Sequence, residues 1–424
     1  MNPVAKTNSA CEPFSVQLAG TPAEIGGMWG RINREPIRHD MEAFFLKPAR
    51  DVSLSEGALI EQSKRFIEIV EQIAPHWLEE SAAIAVAAGV DPRLYVAFVA
   101  GIYRSLFLHA ECTSYAVQSA ITRDHAIFFH KNRDNVDKSQ CAFVMNSRVP
   151  GVHRFIANSD ASAIACMMMV NEKGLAGSAD YPGGLMPEKA PPRYRGITNP
   201  LLLRHIAERA EDCAAALAII REFVDCGHYA GGDVNETHWL FVDRTGTILQ
   251  VGNNDRKVLA QRHTDKVYFS RLRDSSAARR LGEAERPVDF ALFHGVSRDP
   301  SICIDTSISG MTVEIDRDRP DLFSCAWMSL PARSASFPLL MGQRRTPLCL
   351  INGEAYRLGK ATGDHHALWE SIEGGVHAGK SLLKECAKKP EFTSGSQRAS
   401  TIIEQWSEAQ STAMLRVLQA LQPP

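Results

Sequence analysis

Cys112 and Asp134 are the residues whose types and positions in this sequence offer chemistry. Cys112 opens a run, Thr113–Val117, that is typical of a strand, and Asp134 ends a second strand-like run that begins at Ile127. Cleavage of the bond between Glu111 and Cys112 would make Cys112 an N-terminal residue, whose α-amine could serve as its general base. A thiol needs such a base because only a few per cent of it is thiolate at neutral pH. The alternative is a buried strand cysteine, the common state of free cysteines.

The composition indicates an ordinary globular chain. Of the 424 residues, 45% are hydrophobic and 23% are charged, which fits one large or two ordinary domains. The net charge of -2 gives no basic excess with which to bind nucleic acid or an anionic membrane. The apolar runs are too short to span a bilayer, and the N-terminus has no apolar signal core. We therefore expect no nucleic-acid or membrane partner, and a cytoplasmic location.

The cysteine and histidine spacings predict no metal site. No two of the ten cysteines are spaced as C-x-x-C, and the sequence contains no H-E-x-x-H. His365 and His366 lie in a polar stretch, which is typical of a surface pair rather than of metal ligands. In a reducing compartment most of the cysteines are expected to be core residues.

The first hundred residues are predicted to be mostly helical. Ser53 and Glu56 match a capping box, which would open a helix that Pro75 ends. A second helix is predicted to end at Gly89, and a third to run from residue 92 to about residue 109.

Short strands replace the helices from Cys112 onward. Apolar and alternating runs predict strands at 113–117, 127–131, 142–146, 154–157, 165–171, 175–178, 238–242 and 248–251. Two helices, which begin at residues 198 and 212, are predicted between the strands 175–178 and 238–242. A terminal helix is predicted at 401–421. Strands, then helices, then strands are typical of sheets covered by helices.

Several short motifs, in order along the chain, resemble those of one enzyme family. Gly-Thr-Pro-Ala-Glu-Ile-Gly-Gly-Met-Trp-Gly at 20–30, with residues 75–80 and 89–91, is similar to the opening part of the acyl-coenzyme A:isopenicillin N acyltransferases. The resemblance continues through Glu-Cys-Thr at 111–113, Asn-Arg-Asp at 132–134, Asn-Glu-Lys-Gly-Leu at 171–175 and Thr-His-Trp-Leu-Phe-Val-Asp at 237–243. The last three also resemble the choloylglycine hydrolases, of the same N-terminal-nucleophile superfamily.

The resemblance implies an α+β fold, a four-layer αββα sandwich preceded by a largely helical propeptide. Residues 1–111 would be the propeptide, kept as a small subunit after self-cleavage between Glu111 and Cys112, and residues 112–424 the catalytic subunit. Asp134 matches the catalytic aspartate of the family, with a turn-capping role as the alternative. Lys131 falls where the bile-salt branch carries an arginine, and its alternative is a solvated strand end.

The resemblance also locates the oxyanion positions, where this sequence departs from the family. Asp180 stands in place of one asparagine, and counting from His238 puts Ser270 in place of the other. A carboxylate donates a hydrogen bond only when protonated, so Asp180 could instead bind a cationic substrate amine or cap a turn. Ser270 can donate, with shorter reach. Tyr181 and Trp239 are candidates for the wall of the acyl pocket, with core packing as the alternative.

These features predict an autoproteolytic N-terminal-cysteine amidohydrolase or acyltransferase. It would act on a non-peptide C–N amide of a small molecule through a thioester acyl-enzyme. We expect no required cofactor, although acyl-coenzyme A could be the acyl donor, and we expect the two cleaved fragments to stay associated. The alternatives are a dipeptidase of the same superfamily and a non-catalytic binding protein, which the altered oxyanion positions motivate.

Overall fold

The structure is a computed structural model that describes residues 12–101, 112–180, 196–230, 237–362, 365–388 and 397–422. Its helices are α1 Pro22–Ile32, α2 Arg34–Met41, α3 Lys47–Asp51, α4 Glu56–Gln62, α5 Lys64–Ile73, α6 His76–Ala88, α7 Pro92–Gly101, α8 Asn199–Arg209, α9 Cys213–Asp225, α10 Ser276–Gly282, α11 Phe290–Val296, α12 Pro320–Phe323, α13 Leu348–Ile351, α14 Glu354–Thr362, α15 His366–Cys386 and α16 Gln397–Ala420. A π-helical turn, Glu42–Leu46, joins α2 to α3.

The strands are β1 Ser15–Gly20, β2 Thr113–Val117, β3 Ile127–Asp134, β4 Gln140–Ser147, β5 Phe155–Asp160, β6 Met168–Asn171, β7 Ala176–Asp180, β8 Thr237–Val242, β9 Ile248–Asn253, β10 Val258–His263, β11 Val267–Phe269, β12 Ser307–Ile315, β13 Cys325–Ser329 and β14 Phe337–Leu340. They form two sheets. The larger has the order β1-β4-β5-β6-β7-β8-β9-β10 and the smaller the order β11-β2-β3-β12-β13-β14.

The two sheets lie between two layers of helices. Successive side chains of β3 point to opposite faces, as in any strand. Phe128 stacks on Phe293 of α11, outside the smaller sheet, whereas Lys131 reaches the backbone of β7 in the larger sheet. On the far face of the larger sheet, Phe143 of β4 packs against Trp29 of α1. The predicted α+β, four-layer αββα arrangement is therefore confirmed.

The segment before Cys112 is built into this sandwich. β1 pairs in parallel with β4 at the edge of the larger sheet. In the helical layer, Glu80 of α6 accepts two hydrogen bonds, of 2.6 and 2.8 Å, from the guanidinium of Arg204 on α8. Both side chains are buried. The division into a propeptide, 1–111, and a catalytic subunit, 112–424, stays a prediction.

The helical part of this segment differs in detail from the prediction. The capping box at Ser53 is wrong, because Ser53 has a φ of 57° and its N–H bonds the carbonyl of Arg50, which places it at the end of α3. Ser55 caps the next helix instead, by accepting a hydrogen bond from the N–H of Ala58. That helix is also divided at Ser63 into α4 and α5. Helix α6 ends at Gly89, as predicted, and Gly89 adopts the left-handed conformation. Residues 102–109 of the predicted third helix lie outside the described residues.

The strand predictions agree with the structure more closely than the helix predictions do. The run 113–117 is β2, but the next strand continues beyond residue 131 to Asp134. The run 165–171 contributes only its second half to β6, because the N–H of Ala165 bonds the Ser159 hydroxyl and that of Cys166 bonds the carbonyl of Pro200.

No single helix in the described ranges is long and apolar enough to cross a membrane. The bent pair α6 and α7 meets that test only when the two helices are taken together, by length and composition alone.

Candidate active site

Cys112 lies directly before β2, in a polar layer between the two sheets. It is buried, with 4% of its surface exposed. Burial raises the pKa of its thiol, the ammonium of Lys131 opposes this, and the charges of Asp180 and Asp134 raise the pKa further. The backbone N–H of Asp134 also hydrogen-bonds the sulfur. The thiol therefore lies within the influence of one ammonium and two carboxylates, and it needs a base to become a nucleophile.

Asp134 ends β3 beside the cysteine. Its carboxylate accepts a hydrogen bond from the hydroxyl of Ser307, which begins the neighbouring strand β12. Burial raises the pKa of Asp134 to about 6, while Ser307, Lys131 and, after them, Arg271 act in the lowering direction. Asp134 can therefore exchange a proton near neutral pH, as a general acid or base must.

Lys131 is buried in the same layer and is not a solvated strand end. Its ammonium donates to the carbonyls of Met167 and Ala179, at 3.0 and 2.5 Å, and lies 3.2 Å from Asp180 Oδ1. An ammonium has three N–H bonds, so these three acceptors use all of them. Lys131 thus joins the smaller sheet to the end of β7 in the larger one.

Asp180 is held from both sheets. Besides its ion pair with Lys131, Oδ1 accepts a hydrogen bond of 3.0 Å from the hydroxyl of Ser114 on β2. Ser178, two residues earlier on β7, lies 2.7 Å from the same hydroxyl and is the donor to it, since Ser114 uses its proton on Asp180. The other oxygen, Asp180 Oδ2, has no hydrogen-bond partner among the described residues.

Ser270 extends the pairing of β11 with β2 to Ser114, two residues after the cysteine. Its N–H donates to the carbonyl of Ser114 at 2.8 Å, and its hydroxyl accepts from the N–H of Ser114 at 2.9 Å. The hydroxyl proton is not used in either bond. Ser270 therefore lies on the same strand edge as Cys112 with a donor available, and its role in the oxyanion hole stays a prediction.

His238 and Trp239 have clear packing roles. His238 faces Asp180 in the β7–β8 register, and its Nε2 lies 2.8 Å from the hydroxyl of Tyr268. Burial lowers the pKa of His238 to about 4, so the ring is neutral at pH 7. Trp239 points to the opposite face, where its indole donates to Asn253. It belongs to the core beneath the N-terminal helices rather than to an acyl pocket between the sheets.

A buried polar network supports β3 from outside the smaller sheet. The amide of Asn132 donates to the carbonyls of Ser297 and Ile302, at 2.7 and 3.0 Å, and its oxygen lies 2.9 Å from His130 Nε2. These bonds fix the loop that leads to Ser307, the hydrogen-bond donor to Asp134.

The structure brings Cys112, Lys131, Asp134 and Asp180 together and places Ser270 against the neighbouring Ser114, while their catalytic roles stay predictions. Glu111 and Tyr181 lie outside the described residues. Ser114, Ser178 and Ser307 were not predicted. Strand alternation points to the first two, because Ser114 is two residues from Cys112 and Ser178 is two residues from Asp180. Among the described residues, no group of three or more His, Cys, Asp or Glu side chains could hold a metal ion.

The sequence matches no protein-family model and no curated protein. Three solved structures to which the chain is similar are named as an acylase, an amidase and a hydrolase. Penicillin V acylase from Agrobacterium tumefaciens is 13% identical, with a TM-score of 0.38 over 54% of this chain and 86% of that one. The Caenorhabditis elegans N-acylethanolamine-hydrolyzing acid amidase ortholog is 11% identical, with a TM-score of 0.34 over 50% of this chain and 94% of that one. A variant of the conjugated bile acid hydrolase from Clostridium perfringens is 12% identical, with a TM-score of 0.32 over 54% of this chain and 92% of that one. At these identities and TM-scores, the likenesses assign no activity to the chain.

Proposed function

We propose that this protein is an N-terminal-nucleophile enzyme that cuts its own chain between Glu111 and Cys112. It would then break a C–N amide bond of a small N-acylated molecule. The observation that carries the proposal is the position of Cys112, buried between two sheets and within the influence of Asp134, Lys131 and Asp180. A cysteine that only filled core space would not need two carboxylates and an ammonium around its sulfur.

Cleavage would supply the base that the thiol lacks. The thiol proton of Cys112 passes to the new α-amine, and the sulfur forms a bond to the acyl carbon. The tetrahedral intermediate collapses as the C–N bond breaks, and the amine leaves with the proton held by the α-ammonium. Water then attacks the thioester, with the α-amine accepting its proton. The acyl group departs as a carboxylic acid and the thiol is restored.

The neighbouring residues divide the remaining tasks. Asp134 would orient the α-amine and favour its protonated state, because its backbone N–H bonds the sulfur and its carboxylate is fixed by Ser307. Ser270 would donate its unused hydroxyl proton to the oxyanion. Lys131 would act by holding Asp180, since its three N–H bonds are already used. Tyr181 remains a proposed contact for the substrate, and Asp180 is available to a cation, either on the substrate or on the protein itself.

Hydrolysis is the simpler form of the reaction, since it needs only water as the acceptor. Transfer of the acyl group to an amine, or use of acyl-coenzyme A as its donor, would proceed through the same thioester. In either case the fragments 1–111 and 112–424 would remain together as two subunits. No cofactor takes part in the proposed steps.

A thiol-directed acyl electrophile tests the proposal most directly. We expect it to acylate Cys112, detected by mass spectrometry of the peptide, and to leave the exposed Cys226 and Cys386 largely unmodified. A general alkylating reagent on the same sample provides the control, because it should modify the two exposed thiols first. A panel of N-acyl amino acids and other N-acyl amines should then show turnover that Cys112→Ala abolishes.

Two other outcomes would assign a different function. If the electrophile leaves Cys112 unmodified and no amide is turned over, the protein is a binding protein that keeps the fold. The ion pair between Asp180 and Lys131 favours that alternative, because it occupies one of the two positions expected to bind the oxyanion. If dipeptides are cleaved in preference to N-acyl amines, the protein is a dipeptidase.

A further inference from the structure

Asp180 carries a feature that the proposed steps leave unexplained. Its carboxylate is fully buried, and all of its described contacts are made through Oδ1, to Lys131 and Ser114. Oδ2 has no hydrogen-bond partner in the part of the chain that the structure describes. An ionised carboxylate oxygen without a donor is unfavourable in a protein interior. Oδ2 of Asp180 is therefore available to a hydrogen-bond donor other than the described residues.

The charges around Cys112 indicate that this donor is a cation. Asp134 and Asp180 are two buried carboxylates, and Lys131 is the buried ammonium beside them. Arg271 is half-buried and influences Asp134 less than Lys131 does. His238, which faces Asp180 from β8, is neutral at pH 7, and the hydroxyl of Tyr268 is occupied by His238. The guanidinium of Arg271 acts on Asp134 and that of Arg273 acts on His238 and Tyr268, whereas the buried cation in contact with Asp180 is Lys131, through Oδ1.

We propose that Asp180 Oδ2 accepts a hydrogen bond from the α-ammonium of Cys112 after the chain is cut. This inference rests on the proposed self-cleavage, and it makes Asp180 a second positioning residue for the catalytic amine, beside Asp134. Cys112 directly precedes β2 and lies two residues before Ser114, so strand alternation directs both side chains to the same face of the smaller sheet. Ser114 already touches Asp180 through Oδ1, which leaves Oδ2 as the oxygen that can turn toward the new N-terminus.

The pairing has a defined effect on the reaction. A carboxylate next to an amine favours its charged form and raises its pKa. Transfer of the thiol proton to the amine forms a thiolate and an ammonium, and Asp180 would stabilise that ammonium. Lys131 and Ser114 keep Oδ1 engaged, so the carboxylate is held in one orientation. Asp180 would thus contribute to forming the nucleophile, in a position where an asparagine of the related enzymes would bind the oxyanion.

The alternative cation is an ammonium group on the substrate. The two occupants differ in what they change. A carboxylate that pairs with the chain's own amine alters the pKa of that amine whether or not a substrate is bound. A carboxylate that binds a substrate ammonium alters the KM of cationic substrates only.

Competitive acetylation measures the pKa of the α-amine without a substrate. The thiols are first blocked as methyl disulfides, since an acetyl group on the Cys112 sulfur would migrate to the α-amine. The protein is then labelled with trace acetic anhydride across a pH series, and the N-terminal peptide of the 112–424 fragment is quantified by mass spectrometry. We expect Asp180→Asn to lower the pKa of the α-amine by about one to three units, the usual effect of losing a close opposite charge. Asp243→Asn, a buried aspartate at the far end of β8, should leave it unchanged.

A second variant should move the same pKa in the opposite direction. Ser114→Ala removes a hydrogen bond from Asp180 Oδ1, leaving more of its negative charge for the amine, so the α-amine pKa should rise. An unchanged pKa in both variants would overturn the proposal. A raised KM for cationic substrates alone, with the pKa constant, would assign Asp180 to the substrate.

Failure of self-cleavage is recognised separately, before any labelling. Intact mass and N-terminal sequencing show whether Cys112 has become a terminus. If it has not, the proposed function fails and Asp180 has no α-ammonium to bind. If Cys112 is the terminus and its pKa is independent of Asp180, only the present inference fails.

Discussion

Lys131 Nζ and Asp180 Oδ1 lie 3.2 Å apart and join the two sheets of the sandwich beside Cys112. Lys131 belongs to β3 of the smaller sheet and Asp180 to β7 of the larger one. Both side chains are almost wholly buried. Removing one member of such a pair leaves an uncompensated charge in the interior, which is far more unfavourable than removing both.

Lys131→Met should therefore lower the free energy of unfolding by about 3–5 kcal/mol. The double variant with Asp180→Asn should lose much less than the sum of the two single changes, because neither charge is then left alone. Urea denaturation measures the free energy of unfolding of the two single variants and the double variant, each in a Cys112→Ala background in which the chain stays whole. Additive losses would show that the two side chains do not depend on each other.

Self-cleavage should divide the 46.7 kDa chain into fragments of roughly 12 and 34 kDa, in proportion to length. Cys112→Ala should remain whole, since it lacks the attacking sulfur. Denaturing gels and N-terminal sequencing of the larger fragment measure the result. An active wild-type protein that retains its original N-terminus throughout would contradict the mechanism.

The two fragments should elute together in gel filtration under native conditions. β1 is part of the larger sheet, and Glu80 forms a buried ion pair with Arg204 across the cut. Glu80→Gln should weaken the association by about 1.5–3 kcal/mol, because the guanidinium of Arg204 loses its charged contact with the other fragment and keeps only Glu208 of its own. Glu61→Gln, which removes an exposed ion pair with Lys64, should change it by less than about 1 kcal/mol. Equal effects of the two variants would show that the buried pair is unimportant.

Asp134→Asn should lower kcat by about 100-fold or more while stabilising the fold at alkaline pH. The pKa of Asp134 is raised by burial from its ordinary value of 3.8 to about 6 in the folded protein. The folded state therefore binds this proton more tightly than the unfolded state, and stability is lost as the pH rises through about 6. Because asparagine does not titrate, Asp134→Asn should raise the free energy of unfolding by up to about 3 kcal/mol above pH 6. It should give no gain in stability below about pH 4.

Unfolding by urea at pH 8 and at pH 4 separates these effects. A stability gain confined to the higher pH, together with lost activity, identifies Asp134 as a catalytic carboxylate held in an unfavourable environment. Full activity in the variant would make Asp134 a turn-capping residue.

Ser270→Ala should remove about 2.7–4 kcal/mol of transition-state stabilisation if its hydroxyl donates to the oxyanion. The loss should appear in kcat with little change in KM, because the interaction forms in the transition state. Ser381→Ala, an exposed serine of α15, provides the control. Since Ser270 also accepts a hydrogen bond from Ser114, a raised KM with an unaltered kcat would indicate that Ser270 only holds the strand edge.

The sequence predicted the features that local patterns encode. Alternation and chain order indicated the strands that carry Cys112 and Asp134, and these strands are neighbours in the structure. The polar layer around them was only partly foreseen. A solvated strand end is the usual state of such a lysine, and no local signal shows that the carbonyls of Ala179 and Met167 accept hydrogen bonds from Lys131.

The errors have similar physical causes. Ser53 has the right residue type and spacing for a cap, but the preceding helix ends on it through a hydrogen bond to Arg50. The helix α15 was not predicted, although it is among the longest, because its glycine pair and scattered charges weaken the helical pattern. Its Glu373 is bound by Arg298 from the loop after α11 at 2.6 Å, a contact between residues far apart in the sequence. Tertiary contacts of this kind leave no local signal.

β1 and β4 are neighbours in the larger sheet but lie on opposite sides of the proposed cut. While the chain is whole, their pairing closes a loop within one molecule, and the entropy of closure grows only slowly with loop length. Once the chain is cut, the same pairing must bring two molecules together and depends on their concentration. An unfolded molecule of the cut form would then rarely re-form at dilution, so its lifetime is set by the rate of unfolding. Self-cleavage would change a fold that can be reached repeatedly into one that each molecule reaches only once.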